Sequence, residues 1–273
     1  VSTLWISWSA LRTHEECKQK GYLTRAKKRA PLKDTRAFFP GTVTDRVVRD
    51  WLQDDPEANL GAMPGMVSEI MDRERELINE GDQGVMIWKN KADRAEVEKA
   101  CIEAVTKIEP ALLKYVVPFE FQADFRFKAP VQLPHPNGGT EEVVLNGYMD
   151  IIVKDSKARW WVWDVKHTRD NGYWRKTAGQ IGFYDVAVEI MFGQPTIRSG
   201  LLQPLCDERV KPIPVSAETR ATTMTRIAAM AWDVWSDDKQ PRRDNTMCGF
   251  CDVKHACSKF APVKTGKNRR IAF

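Results

Sequence analysis

The sequence predicts an α/β fold, a central mixed sheet flanked by helices in one domain. Three observations predict it. The first third of the chain has helical periodicity, the middle turns to alternating β-branched and aromatic runs, and helices return before a polar stretch that leads into clustered cysteines. A chain of 273 residues, 42% hydrophobic and 29% charged, has ordinary globular composition and can bury a sizeable core. It contains no internal repeat and no low-complexity segment.

The elements follow in order. Residues 9–20 read as a helix behind a Ser-rich cap, and residues 41–52 as a second helix behind Pro40. Residues 66–80 are amphipathic, and residues 91–114 form a long charged helix that carries Cys101. Residues 115–128 (YVVPFEFQADFRFK) alternate apolar and polar, and a turn follows at Pro134, Pro136 and Asn137-Gly138-Gly139. Residues 143–153 and 159–165 are two β-rich runs joined by a tight polar loop at 155–158. A helix at 177–192, short strands at 197–205 and 209–213, and a helix at 216–235 complete a core of about residues 41–236. Residues 237–247 are a polar loop, and residues 1–25 and 240–265 together make a second lobe within the same domain of residues 1–273.

Composition bounds the function. No apolar run approaches the roughly 20 residues of a membrane span, and the start lacks a signal-peptide pattern. The expectation is a cytoplasmic protein without a membrane partner, whose six cysteines are kept reduced and suit metal binding better than disulfides. The net charge of +5 permits an anionic partner without showing one. Lys264, Lys267, Arg269 and Arg270 form a basic tail, which a solvated terminus explains as well as nucleic-acid contact does. The ten tryptophans read as core.

A constellation of charges sits in the two central strands. If they form a hairpin centred near Lys157, Asp150 and Asp164 lie opposite each other and point to one face. Lys166 is two residues from Asp164 and shares that face. Trp161, Trp163 and Val165 point the other way while Trp160 and Val162 do not, so the strand is apolar on both sides and central. Charges at the end of such a strand are costly unless used. Two close carboxylates repel, and a divalent cation with a taste for oxygen ligands, Mg2+ or Mn2+, relieves the repulsion. Such an ion activates water and stabilises charge on a phosphate, and Lys166 adds a cation beside it. The competing reading is a surface hairpin with a diagonal salt bridge. On the next helix Gln180 and Tyr184 share a face at i, i+4 and would reach back over the carboxylates. Glu120 and Asp124 are further acids that could approach this site.

The second constellation is sulfur. Cys248, Cys251 and Cys257 form C-x2-C-x5-C, three local thiolates that leave a tetrahedral or cubane centre one ligand short, and Cys17 is a natural fourth. Thiolates serve zinc and a [4Fe–4S] cluster alike. Either centre would join the two ends of the fold and support it. Cys101 and Cys206 read as buried, apolar-like residues. His14, His135, His167 and His255 take no assigned role; His167 follows Lys166 and points to the other face, and His255 lies inside the cysteine cluster but is not needed as a ligand.

Taken in order, these motifs resemble the RecB-like branch of the PD-(D/E)XK nucleases. The likeness is to its iron–sulfur exonucleases, typified by AddB nuclease domains and the CRISPR-associated exonuclease family. The family's G-x-x-D strand matches Gly147 to Asp150, its D-x-K strand Asp164 to Lys166, and its Q-x-x-x-Y helix Gln180 and Tyr184. Its opening S-x-S-x-L and cysteine match Ser7, Ser9, Leu11 and Cys17, and its closing cysteines match the cluster. The chain departs from the family at Gly41-Thr42-Val43-Thr44-Asp45, where Asp45 stands in place of the usual histidine ligand. A first-turn carboxylate favourable to the helix dipole is the plainer reading of Asp45.

The resemblance implies a restriction-endonuclease-like fold and a metal-dependent exonuclease acting on single-stranded DNA or DNA ends. Asp45, Asp150, Asp164 and the carbonyl of Val165 would hold Mg2+ or Mn2+, and Lys166 would orient or activate water. Gln180 and Tyr184 would position the strand, and Arg169, Arg175 and Lys176 would meet phosphates. The four cysteines would hold a structural [4Fe–4S] cluster rather than zinc. Partners would belong to recombination, replication or CRISPR systems. The alternatives are an endonuclease or CRISPR-adaptation trimming factor on the same fold, a non-catalytic DNA-end binding module, or a structural iron–sulfur or zinc protein.

Overall fold

The computed structural model describes residues 3–25, 37–80, 86–236, 248, 251, 253, 256 and 257. The polar loop 237–247, His255 and the basic tail lie outside the described residues. The elements run β1 (Leu4–Ile6), α1 (Trp8–Glu16), α2 (Lys18–Arg25), α3 (Phe39–Gln53), α4 (Met63–Glu80), α5 (Lys91–Tyr115) and β2 (Glu120–Pro134). The second half adds β3 (Thr140–Lys154), β4 (Trp160–Val165), α6 (Trp174–Phe192), β5 (Arg198–Leu202), β6 (Val210–Pro212) and α7 (Ala217–Ser236). No described helix is long and apolar enough to cross a membrane.

The six strands form one mixed sheet organised around the 15-residue β3. β2 pairs antiparallel along β3 from Glu120 opposite Lys154 to Pro134 opposite Thr140. The other edge of β3 is shared. β1 runs parallel to its start, from Leu4 beside Val143 to Ile6 beside Leu145. β4 runs antiparallel to its end, from Ile151 opposite Trp163 to Lys154 opposite Trp160. β1 and β4 therefore lie end to end, and their C-terminal ends converge on the middle of β3. β5 continues the sheet parallel to β4, and β6 closes it antiparallel to β5.

Helices cover both faces. On one side Trp51, Met71, Ile108 and Leu112 of α3, α4 and α5 pack against Ile151, Val153, Trp161 and Trp163. On the other, Leu11, Ile181, Phe183, Ile227 and Met230 of α1, α6 and α7 pack against Leu145, Ile152, Val162 and Leu201. β4 is buried on both faces, with Trp161, Trp163 and Val165 on the α3–α5 side and Val162 on the other, as the sequence predicts for a central strand.

Local chemistry sets the boundaries. Ser7 caps α1 through the Ala10 N–H, and Asn90 caps α5 through the Asp93 N–H. The expected helix at 9–20 is two helices. Cys17 leaves helical geometry (φ −164°, ψ 114°) and breaks the segment between α1 and α2. The strand expected at 115–128 is displaced to 120–134, because burial of Leu112 and Val116 carries α5 through Tyr115. Pro130 and Pro134 fall inside β2, which pairs only with β3, and an outer strand tolerates a missing donor on its free side. The predicted turn forms with Gly138 and Gly139 at φ +91° and +75°. The predicted polar loop forms around Asp155, whose Oδ1 accepts the N–H groups of Lys157 and Arg159 at 2.9 and 3.0 Å.

One backbone position matters beyond itself. Asp124, in mid-β2, is left-handed (φ +53°). The facing of the β2–β3 pair changes there: Ala123 and Ile151 face the α3–α5 core, whereas Phe127, Leu145 and Met149 face α6. The outer stretch of β2–β3 turns its other face to solvent.

Candidate active site

The site grows from the β3–β4 hairpin. Its register is symmetric about Lys157, so the next pair beyond Ile151 and Trp163 is Asp150 and Asp164. Asp150 Oδ2 accepts the Val165 N–H at 2.7 Å, which fixes its carboxylate at the end of β4. The Lys166 N–H bonds the Leu202 carbonyl at 2.9 Å, so the chain past β4 is still anchored to β5. Asp164 is fully buried. Its Oδ1 accepts the Gln180 amide at 3.0 Å, and its Oδ2 lies 2.5 Å from Lys166 Nζ.

Helix α6 supplies that amide. Gln180 Nε2 reaches both Asp164 and, at 2.7 Å, the Tyr184 hydroxyl one turn on. The Tyr184 ring is buried edge-on against Phe127, with centroids 6.0 Å apart. Tyr184 thus steadies Gln180 from behind, and Gln180 touches the carboxylate.

Helix α3 brings Asp45 to the opposite wall. A cleft of about 460 Å³ opens between α3 and the end of β4, lined by Asp45, Asp150, Val165, Lys166, His167 and Tyr173 among others. Burial pushes Asp45 up to about 6; Lys166 and Arg49 oppose the shift, and Asp164 and Asp124 add to it. Asp150 is pushed well above the usual carboxylate range by burial and by Asp164. Burial works against the charge of Lys166, but Asp164 and Asp150 outweigh it and hold the ammonium above its ordinary range. Burial and the same two aspartates keep the Tyr184 phenol protonated.

The donor set fits a hard divalent cation. Asp45 and Asp150 face one cleft, their carboxyls raised by crowding and burial, and oxygen ligands of this kind suit Mg2+ or Mn2+. Asp164 already has both oxygens engaged, so a cation in the cleft draws first on Asp45 and Asp150.

The remaining residues singled out by sequence are placed as follows. Arg169, Arg175 and Lys176 are exposed beyond the cleft. Arg169 pairs with Glu103 at 2.7 Å and Lys176 with Asp170 at 3.3 Å, and Arg175 lies 5.4 Å from the centre of the Trp174 ring. Glu120 pairs with Lys154 at 3.4 Å, and Asp124 with Arg49 at 2.9 Å. Cys257 Sγ lies 3.3 Å from Gln19 Oε1, two residues beyond Cys17, so the end of the chain meets its beginning. Among the described residues, however, no three His, Cys, Asp or Glu side chains gather as a metal site, and Cys17, Cys248, Cys251 and Cys257 do not form one centre. Burial drives the Cys101 thiol up to about 12, and Cys206 is also buried, as expected of apolar-like cysteines.

Sequence reasoning missed His167 and Tyr173. His167 Nδ1 lies 2.9 Å from the Thr44 hydroxyl of α3, and burial and Arg169 push its imidazole below its ordinary range. Strand alternation would put His167 on the face opposite Lys166, but β4 ends at Val165 and both residues line the cleft.

The sequence matches the PD-(D/E)XK nuclease superfamily over residues 6–258. No curated protein matches it. Among solved structures, that of SSO0001 is similar over 62% of this chain and 79% of that one, with a TM-score of 0.34 and 14% identity, a likeness too distant to carry an argument.

Proposed function

We propose that this chain, which belongs to the PD-(D/E)XK nuclease superfamily, is a metal-dependent exonuclease of single-stranded DNA or DNA ends. The observation that carries the reading is the convergence of Asp45, Asp150 and Lys166 on one cleft, with Asp164 locked behind them by Gln180. When bound, Mg2+ or Mn2+ supplies Lewis-acid activation of water and charge neutralisation at the scissile phosphate. Asp45, Asp150 and Asp164, with the Val165 carbonyl, would hold it. Lys166 stays charged, so it orients the water and stabilises the anionic phosphoryl oxygens. Gln180 fixes the Asp164 carboxylate, and Tyr184 fixes Gln180. The exposed Arg169, Arg175 and Lys176 would meet backbone phosphates past the cleft.

The resemblance to exonucleases is what favours ends. Linear single-stranded DNA labelled at either end should shorten progressively with Mg2+ or Mn2+, while a covalently closed circle survives. Equal loss of the circle would mean an endonuclease. Gln180→Leu should lower the cleavage rate by about 10- to 100-fold, as loss of an outer hydrogen bond to a metal ligand does. Tyr184→Phe should cost less, because among the described residues its hydroxyl meets Gln180 and not the carboxylates; steady-state rates on labelled oligonucleotide check both.

The sulfur centre is proposed as a structural [4Fe–4S] cluster, supported by the C-x2-C-x5-C spacing and by the approach of Cys257 to Gln19 beside Cys17. The setting would be a reducing cytoplasm, with partners from recombination, replication or CRISPR systems. Anaerobically purified protein should contain iron and acid-labile sulfide, and Cys17→Ser should lose both and melt at lower temperature. Stoichiometric zinc without sulfide would assign the site to zinc.

A further inference from the structure

Outside the cleft, the face of the sheet turned out by Asp124 carries aromatic rings and cations side by side. Tyr148 and Trp5 are 52% and 45% exposed, although both sit on strands. Arg126 is opposite Tyr148 in the β2–β3 register and lies over its ring at 6.0 Å. Lys128 Nζ lies 5.3 Å from the Trp5 ring, reaching across β3 to β1. Neither cation makes an ion pair among the described residues. Of the nearby acids, Asp124 is paired with Arg49, Glu142 is near the far end of β3 opposite Gln132, and Asp150 lies at the cleft end of the patch. Behind the patch, Ile6, Phe127, Ala129 and Leu145 are buried, so the rings stand on a packed floor.

The patch and the cleft share strand β3. Tyr148 is two residues from Asp150 on the same strand, about 7 Å at the rise of a β-strand. Val144, the partner of Trp5, lies four residues further back along β3. The geometry points to a single-stranded nucleic-acid platform on the outer β1–β3–β2 face, where bases stack on Tyr148 and Trp5 and phosphates meet Arg126 and Lys128, leading the strand to the cleft. Stacking rings beside cations are what sequence-tolerant strand binding requires. The inference rests on the nuclease reading only for the direction of travel toward Asp150.

The test is equilibrium binding of fluorescein-labelled oligothymidylate, about twenty nucleotides long, to the full chain in EDTA, which prevents cleavage. Tyr148→Ala should weaken binding about fivefold or more, the loss of one stacked base. Arg126→Gln with Lys128→Gln should flatten the dependence of affinity on salt by about 1.4 units of slope, because two phosphates of a single strand are no longer neutralised. These exposed positions leave the core untouched, and a retained melting temperature verifies the fold. Unchanged affinity and salt slope in both variants would overturn the platform. So would a variant-induced change from dimer to monomer in sedimentation with oligothymidylate affinity unaltered, which would assign the face to a second copy of the chain. Failure of the nuclease reading looks different: the wild type would bind the oligonucleotide through these residues and cut nothing with Mg2+ or Mn2+.

Discussion

Asp164→Asn should bind single-stranded DNA as the wild type does and cleave it about 10³-fold more slowly. Asp164 is the buried centre of the charge network, held by Gln180 on one oxygen and paired with Lys166 on the other. The amide keeps the shape and an acceptor for Gln180, whereas alanine would leave a cavity; both remove the carboxylate that partners Lys166, so a retained melting temperature is the control for folding. What is lost is the negative charge that pairs with Lys166 and, on the proposed reading, would help hold the cation. A factor of 10³ corresponds to about 4 kcal/mol of transition-state stabilisation, a reasonable loss for one member of such a set. The measurement is single-turnover cleavage with saturating enzyme, beside binding in EDTA. Undiminished cleavage would remove the catalytic assignment; loss of binding together with cleavage would mean the variant disturbs more than chemistry.

Asp150→Asn and Asp45→Asn should each abolish most cleavage and yet stabilise the metal-free protein. Both carboxyls are pushed up by burial and by neighbouring acids, so their ionisation opposes folding when no cation is present. Removing one charge should raise the metal-free melting temperature by about 2–4 °C, roughly 1 kcal/mol in a chain of this size. Mg2+ should raise the wild-type melting temperature and leave the variants nearly unmoved, since only a state that binds ligand gains from it. The pH dependence has a definite sign. Asp45 holds its proton to about pH 6 when folded, against an ordinary 3.8. Across that window the folded state binds more protons than the unfolded state, so this group's contribution to stability falls as pH rises. The gap between Asp45→Asn and wild type should therefore open between about pH 4 and 6 and stay constant above, read by thermal melts in EDTA. A variant that melts below wild type at pH 8 without metal would show that the carboxylate is an ordinary structural acid.

Much of this site could be read from order and period. The register of Asp150 against Asp164 follows from a symmetric hairpin about Lys157, and β-strand alternation assigned Trp161 and Trp163 to one core and Val162 to the other. The four-residue spacing of Gln180 and Tyr184 put both on one face of α6, and the structure adds that the tyrosine is buried and works through the glutamine. Other features leave no such mark. β1 is three residues long, too short for a period to show, and only its pairing with β3 identifies it. The left-handed turn at Asp124 changes the facing of two strands, and no local pattern announces it. His167 and Tyr173 enter the cleft because the chain after β4 folds back beside α3, a tertiary event that residue spacing does not encode. The sulfurs are the reverse case: the spacing is clear, and the described residues do not show the assembled centre.

The end-to-end arrangement of β1 and β4 has a consequence for synthesis on the ribosome. Leu4 has no sheet partner until Val143 has been translated, and the edge it completes is the one on which the cleft opens. Until then β1 is unpaired, and a pairing between residues so far apart in sequence is slow to close. A nascent chain that ends before β3 lacks Asp150, Asp164 and Lys166 together with the partner of β1, so the edge strand and the cleft become complete only after the same stretch has been made.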